Sequence, residues 1–237
     1  MSIEISTYFT NSLSKGEGGI VHSPFITFEG GEGSGKSTQI DLLYRKLLQA
    51  GIDVISCREP GGTKGAEEIR ALLLRGNEDR WTPVTEALLM SASRAELVQK
   101  RILPHLKKGG WVLCDRFTDS TIAYQGYGHE LGFDPIVQLN HFTVGPLEPA
   151  LTFVFQLDPQ IGLERTSLRV EGEDRYERFD FTFHKKVEKG YAEILGKNTK
   201  RCVAINASED IDVIAEHIFK EVCRRFGLET ISSGPKP

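Results

Sequence analysis

Residues 25–37 read Phe25-Ile26-Thr27-Phe28-Glu29-Gly30-Gly31-Glu32-Gly33-Ser34-Gly35-Lys36-Ser37. A short, mostly apolar run passes into a glycine-rich turn, and a stretch of helical spacing follows it to Gln49. The turn matches G-x-x-x-x-G-K-[ST] in the strand-to-helix setting that the motif requires. Glycines let successive backbone N–H groups turn inward around phosphate oxygens, and the helix N-terminus adds the positive end of its dipole. On this reading Gly30, Gly31, Glu32, Gly33, Ser34, Gly35, Lys36, Ser37 and Thr38 hold the triphosphate of ATP. Lys36 neutralises the β- and γ-phosphates, and the Ser37 hydroxyl ligates Mg²⁺.

Outward from this turn, short apolar runs alternate with amphipathic ones, and Gly or Pro marks nearly every junction. Strands are expected at 25–29, 52–57, 111–115, 151–157 and 201–205. None alternates with period two, as suits parallel strands covered on both faces. Helices are expected at 36–49, 65–74, 83–105, 134–144, 181–195 and 210–226. The pattern predicts a doubly wound α/β domain over 25–228, with ligands at the carboxyl ends of its strands. Residues 1–24 read as a loosely ordered leader and 229–237 as a frayed tail.

The composition narrows the function. The 237 residues carry 29 Lys+Arg against 33 Asp+Glu, a net charge of −4, and 39% are hydrophobic. A chain of that size buries a core without disulfides or a structural metal. Its net negative charge argues against a nucleic-acid or membrane-surface partner. The four cysteines stand far apart without ligand spacing, so neither zinc nor a redox pair is expected. There is no apolar run of the roughly 18 to 20 residues that a membrane span needs, and the leader lacks the features of a signal or transit peptide.

Function is therefore sought after each strand. Trp111-Val112-Leu113-Cys114-Asp115 ends an apolar run in a carboxylate, which would hold Mg²⁺ directly or through water. Arg58 and Arg116 follow the second and third strands and could clamp a second anion bidentately. More arginines (Arg70, Arg94, Arg169, Arg175, Arg178) fall in or beside loops and helix ends, too many for one triphosphate. Together they point to a phosphorylated acceptor. A phosphate monoester is mostly dianionic at pH 7 and attacks without a general base. No H-R-D-type loop is present. Catalysis then rests on alignment and charge neutralisation.

At this level of detail the chain resembles the bacterial thymidylate kinases over about 200 residues from Phe25. The likeness rests on Phe28-Glu29-Gly30-Gly31-Glu32-Gly33, on Arg58-Glu59-Pro60-Gly61-Gly62-Thr63, and on Asp115-Arg116-Phe117 followed by Asp119-Ser120-Thr121-Ile122-Ala123-Tyr124-Gln125-Gly126. It implies a P-loop nucleoside-monophosphate-kinase-like three-layer α/β domain with a five-stranded parallel sheet and a helical lid. The implied reaction is transfer of the γ-phosphate of ATP to dTMP, giving dTDP.

By position, the resemblance implies that Arg58, Arg70 and Arg116 surround the 5′-phosphate of dTMP and that Glu32 approaches the sugar 3′-hydroxyl. Arg94, Thr121 and Gln125 would face the thymine edge, and Tyr124 would crowd the 2′ position. Glu59, Pro60, Ser93 and Ser120 complete that wall, and the Glu59–Pro60 bond is a candidate cis turn. Met90 stands where many members place a phenylalanine against the base; its thioether can cover the same face by dispersion. The charged stretch over 168–179 resembles the family's lid, with Arg175 as first choice for the transferred phosphate and Arg169 and Arg178 behind it. A cytoplasmic homodimer, through the helix at 83–105, is implied as well. The rival readings are a UMP or CMP kinase, which Tyr124, Thr121 and Arg94 disfavour, and a P-loop switch, whose guanine-reading N-K-x-D motif is absent.

Overall fold

The computed structural model describes residues 24–166 and 174–228. β1 (Phe25–Gly30), β2 (Val54–Arg58), β3 (Trp111–Asp115), β4 (Leu151–Gln156) and β5 (Cys202–Asn206) form one parallel sheet in the order β2, β3, β1, β4, β5. β1 sits in the middle, and every one of its residues is buried because helices cover both faces. That explains why its sequence reads as an apolar run rather than an alternation.

One layer consists of α1 (Lys36–Gln49) and α8 (Ile211–Phe226), whose Leu43, Leu47, Ile214 and Ile218 pack on Ile26 and Phe28 of β1. Phe28 is fully buried, with its ring centroid 5.4 Å from that of Phe153 on β4. Phe28→Ala is expected to lower unfolding free energy by about 3–5 kcal/mol, through lost transfer energy and the cavity left behind. Urea denaturation checks this, and a loss under about 1 kcal/mol would contradict the packing described.

The opposite layer holds α2 (Lys64–Leu74), α3 (Pro83–Leu97), α4 (Thr118–Thr121), α5 (Phe133–Val144), α6 (Pro159–Thr166) and α7 (Phe181–Lys197). Side-chain caps start three of them. Thr63 Oγ1 accepts from the Ala66 amide at 3.3 Å, Thr82 Oγ1 from Thr85 at 3.3 Å, and Asp180 Oδ1 from Phe183 at 2.7 Å. Each satisfies a first-turn N–H that has no partner within its helix.

The strands and the long helices lie where the sequence places them, with ends moved by one or two residues. Two features differ. The helix expected as continuous over 83–105 passes through a π-turn (Val98–Ile102) before Leu103–Leu106. Pro104 has no N–H to give the carbonyl four residues back, and widening the turn relieves that clash. Three helical pieces were not foreseen: α6, α4 with its π-turn continuation Ile122–Gly128, and a 3₁₀ turn at Glu78–Arg80. The Gly-rich composition of the second hides a helix that tertiary packing holds, since α7 lies along it and Gly190 meets the Ala123 backbone.

Among the described residues no helix is long and apolar enough to cross a membrane. All four cysteines are buried and unpaired. The proposed leader, apart from Pro24, the whole tail 229–237 and lid residues 168–173 lie outside the described residues.

Candidate active site

Parallel register brings three strand ends to one edge. Arg58 pairs with Asp115 across β2 and β3, and Asp115 pairs with Phe28 across β3 and β1. The glycine-rich turn leaves β1 at that edge, beside the position where the strand order reverses, which is where open α/β sheets form their ligand crevice. A cavity of about 780 Å³ opens there.

The turn itself supplies Glu32 through Thr38 to the cavity wall. Gly33 has φ 65°, and a Cβ on it would lie 2.2 Å from the Gly162 carbonyl oxygen of α6, so only glycine lets the two backbones touch. Gly30 and Gly31 stand behind the wall and act through their carbonyls. Lys36 Nζ donates to them at 3.1 and 2.7 Å and to Ser34 Oγ at 3.1 Å. Burial, and then the positive charge of Arg116, push Lys36 down to about 8.

Ser37 Oγ donates to Asp115 Oδ2 at 2.7 Å, which joins the first strand's turn to the third strand's terminal carboxylate. Two adjacent hard oxygen donors with no cage around them suit Mg²⁺, which keeps several waters and takes its remaining ligands from phosphate. Among the described residues no group of three or more His, Cys, Asp or Glu side chains could hold a metal by itself.

Arg116 follows β3 with φ 69°, a left-handed conformation that costs a non-glycine residue roughly 1–2 kcal/mol. Its amide donates to the Phe28 carbonyl at 2.9 Å. The turn sends its side chain back over the start of the phosphate loop. Nη1 donates to the Gly30 carbonyl, Ser120 Oγ and Tyr191 Oη at 2.9 to 3.2 Å, and Nη2 to Glu32 Oε1 at 2.8 Å and Tyr124 Oη at 3.2 Å. Burial would raise Glu32, but Arg116 and Lys36 hold it at about 2, so it stays ionised.

Arg58, Glu59, Pro60 and Arg70 line the same cavity. The Glu59–Pro60 bond is cis, as the motif suggests. Arg70 donates to the Pro60 carbonyl at 2.8 Å, and Arg58 reaches Glu67 at 3.1 Å. Met90, Arg94, Ser120, Thr121, Tyr124 and Gln125 form the far wall. Arg94 is almost wholly enclosed, giving Nε to Glu59 at 2.7 Å, Nη1 to Asn140 at 2.9 Å and Nη2 to Thr121 Oγ1 at 2.8 Å.

Two of the residues expected on the acceptor and lid side, Ser93 and Arg175, are placed elsewhere. Ser93 does not line the cavity; its hydroxyl accepts from the Gly61 amide at 3.1 Å and so holds the Arg58–Gly62 turn from behind. Arg175, the first choice for a lid arginine, is fully buried outside the crevice. It pairs with Glu86 and donates to the carbonyls of Asn77 and Glu78 at 3.0 and 2.7 Å. A buried guanidinium with a matching carboxylate is costly to extract, so in this arrangement it anchors the base of the lid. Arg178 lines the cavity instead, its Nη2 on the Gly76 carbonyl. Arg169 lies outside the described residues.

Two buried carboxylates escaped the sequence reading. Glu29 accepts from the Phe117 amide at 2.7 Å, Ser120 Oγ at 2.6 Å and Tyr191 Oη at 3.2 Å, and burial with the nearby Asp119 pushes it up to about 8. Its position inside an apolar strand was the available signal. Glu86 carried none, since one Glu on a helix ordinarily reads as a solvated face. Its burial opposes ionisation, yet hydrogen bonding to His129 and the charge of Arg175 keep it at about 2.

The family model described as thymidylate kinase matches residues 28–218. A thymidylate kinase of Caulobacter vibrioides is 47% identical over 204 residues, covering 86% of this chain and 98% of its own. One from Halalkalibacterium halodurans is 40% identical over 205 residues, covering 86% and 98%. The crystal structure of thymidylate kinase from Ehrlichia chaffeensis superposes with a TM-score of 0.69 at 35% identity, covering 84% of this chain and 98% of that one. A family-model match across most of the domain, identity sustained over about 200 residues and a shared fold make this chain a member of the thymidylate kinase family.

Proposed function

We propose that the protein transfers the γ-phosphate of ATP to the 5′-phosphate of dTMP, yielding dTDP for dTTP synthesis. The observation that carries the reading is one continuous crevice, in which the phosphate loop with Lys36 faces Arg58, Arg70 and Arg116 and a base-sized wall of Met90, Arg94, Thr121, Tyr124 and Gln125. A donor and an acceptor can therefore be bound side by side.

In that complex the loop amides and Lys36 take the β- and γ-phosphates of ATP, Lys36 leaving the loop carbonyls that it now contacts. Arg58, Arg70 and Arg116 hold the acceptor dianion in line, and no base is needed because its oxygen is already ionised. Glu32 keeps Arg116 oriented and is placed to accept the 3′-hydroxyl. Tyr124, fixed by its hydrogen bond to Glu32 at 2.7 Å, closes the space a 2′-hydroxyl would need. Arg178 brings positive charge from the lid side, the role first given to Arg175. Ser37 and Asp115 would hold Mg²⁺, which would supply neutralisation of charge on the phosphate oxygens.

The reading carries a cytoplasmic homodimer with it. Exposed Val84 and Leu88 on α3 and Val137 and Phe142 on the adjoining α5 support such an interface.

A coupled ADP-release assay with dTMP, dUMP, UMP, CMP and AMP tests the function. The highest kcat/KM is expected with dTMP, with little ADP formed when no acceptor is present. Superior turnover of UMP would transfer the assignment to a ribonucleotide kinase, and acceptor-independent hydrolysis would favour a nucleotide switch.

A further inference from the structure

Glu86 accepts hydrogen bonds from three side chains on two separate segments while showing no surface to solvent. Its Oε1 takes Gln125 Nε2 at 2.8 Å and His129 Nε2 at 3.0 Å, and its Oε2 takes Arg175 Nη1. The two ends of a glutamine amide are nearly alike in shape and opposite in hydrogen-bonding sense. An ionised carboxylate has no proton to give, so only the NH₂ end of Gln125 can face it. Oε1 of Gln125 is then the end left for the crevice, which this residue lines. Among the described residues none donates to that oxygen.

This fixed orientation has a chemical consequence. A pyrimidine with oxygen at C4 carries a proton on N3 and donates there. One with an amine at C4 has a lone pair on N3, which a carbonyl oxygen repels. Arg94, which offers only donors, adds a second preference for oxygen at C4. The geometry points to Glu86 as the positioning residue that sets base preference: by pinning the Gln125 amide, it makes the crevice select 4-oxo over 4-amino pyrimidine nucleotides. The inference rests on the function proposed above and adds to it the group that orients the base reader. Arg175 and His129 support the pin, the first by keeping the carboxylate neutralised in place, the second by occupying a lone pair that would otherwise draw Gln125 aside.

The test compares kcat/KM for dTMP and dCMP in the unaltered protein, in Glu86→Gln, and in Glu86→Gln combined with Arg175→Met. The single change leaves Arg175 buried without a counter-charge and can unfold the chain; the combined one removes both charges together. The introduced amide can donate as well as accept, so Gln125 becomes free to turn over. The dTMP-to-dCMP ratio is expected to fall about tenfold or more, through a gain for dCMP as well as a loss for dTMP, while KM for ATP stays unchanged. A ratio that does not change in a folded variant, with both nucleotides losing equally, overturns the inference. So does failure of both variants to fold, which would make Glu86 a packing residue. Absence of dTMP-dependent turnover in the unaltered protein sinks the parent reading instead, and the two failures are thereby told apart.

Discussion

Arg116→Met is expected to reduce kcat/KM for dTMP by about a thousandfold or more, with a much smaller effect on ATP binding. Two losses combine. The acceptor phosphate loses a charged donor, and hydrogen bonds to charged groups are worth about 1.5–3 kcal/mol each. Glu32, now held at 2.8 Å by Arg116, is left as a largely enclosed carboxylate beside the loop. Removing one partner of a buried pair typically costs about 3–5 kcal/mol. Methionine keeps the length and apolar stem of the side chain, so the defect is in charge rather than in packing. Steady-state kinetics with dTMP and ATP varied separately check the split. An unchanged kcat together with an unchanged KM for dTMP would remove Arg116 from the acceptor site.

Lys36→Ala is expected to lower kcat by about 10³ or more while leaving the fold intact, because the bonds that the ammonium gives to the turn are lost but Ser34 Oγ still donates to the Gly31 carbonyl at 2.9 Å and Gly33 still packs on Gly162. Near-normal turnover in this variant would dismiss the phosphate-cradle assignment. The same lysine gives a pH signature. Its value in the folded protein is about 8, below the usual lysine value near 10.4. Between those two values the unfolded chain binds more protons than the folded one, so the cost of burying charged Lys36 is present in full below pH 8 and is relieved as pH rises through that window. Polyphosphate binding places anions on Nζ and raises its affinity for a proton. ATP binding at pH 8.5 should therefore take up part of a proton, and ATP affinity should decline above that pH. Titration calorimetry in two buffers of different ionisation enthalpy measures the uptake, which Lys36→Ala is expected to abolish. Equal apparent enthalpies in the two buffers for the unaltered protein would show that Lys36 is not the group meeting the phosphates.

Much of the fold is local chemistry. The apolar runs, their lack of alternation, and the caps Thr63, Thr82 and Asp180 mark a covered parallel sheet and the starts of its helices, since burial on both faces and unsatisfied first-turn amides leave signatures in neighbouring residues. The phosphate turn is equally local: glycine spacing, lysine and serine act within a few residues of one another. The motifs around Arg58, Asp115-Arg116 and Tyr124-Gln125 are legible for the same reason. Pro104 marks the π-turn only in hindsight, because a proline can also be accommodated by a kink.

What the linear chain cannot express is which charges will meet once distant elements pack. Arg175 and Arg178 stand three residues apart in one charged run, yet one is sealed against Glu86 and the other borders the crevice. Ser93 lies one residue from Arg94 but turns to the back of the Gly61 turn. Glu29 and Glu86 look ordinary in sequence and join Glu59 as buried carboxylates behind the crevice wall, because burial depends on what α7, α4 and the lid base lay over them. Residue type and spacing therefore determined the sheet, the cradle and the kind of chemistry. Tertiary packing alone decided which arginine is sealed inside, which borders the crevice, and which way Gln125 points, since desolvation and ion pairing depend on neighbours brought together across as many as 162 residues of chain.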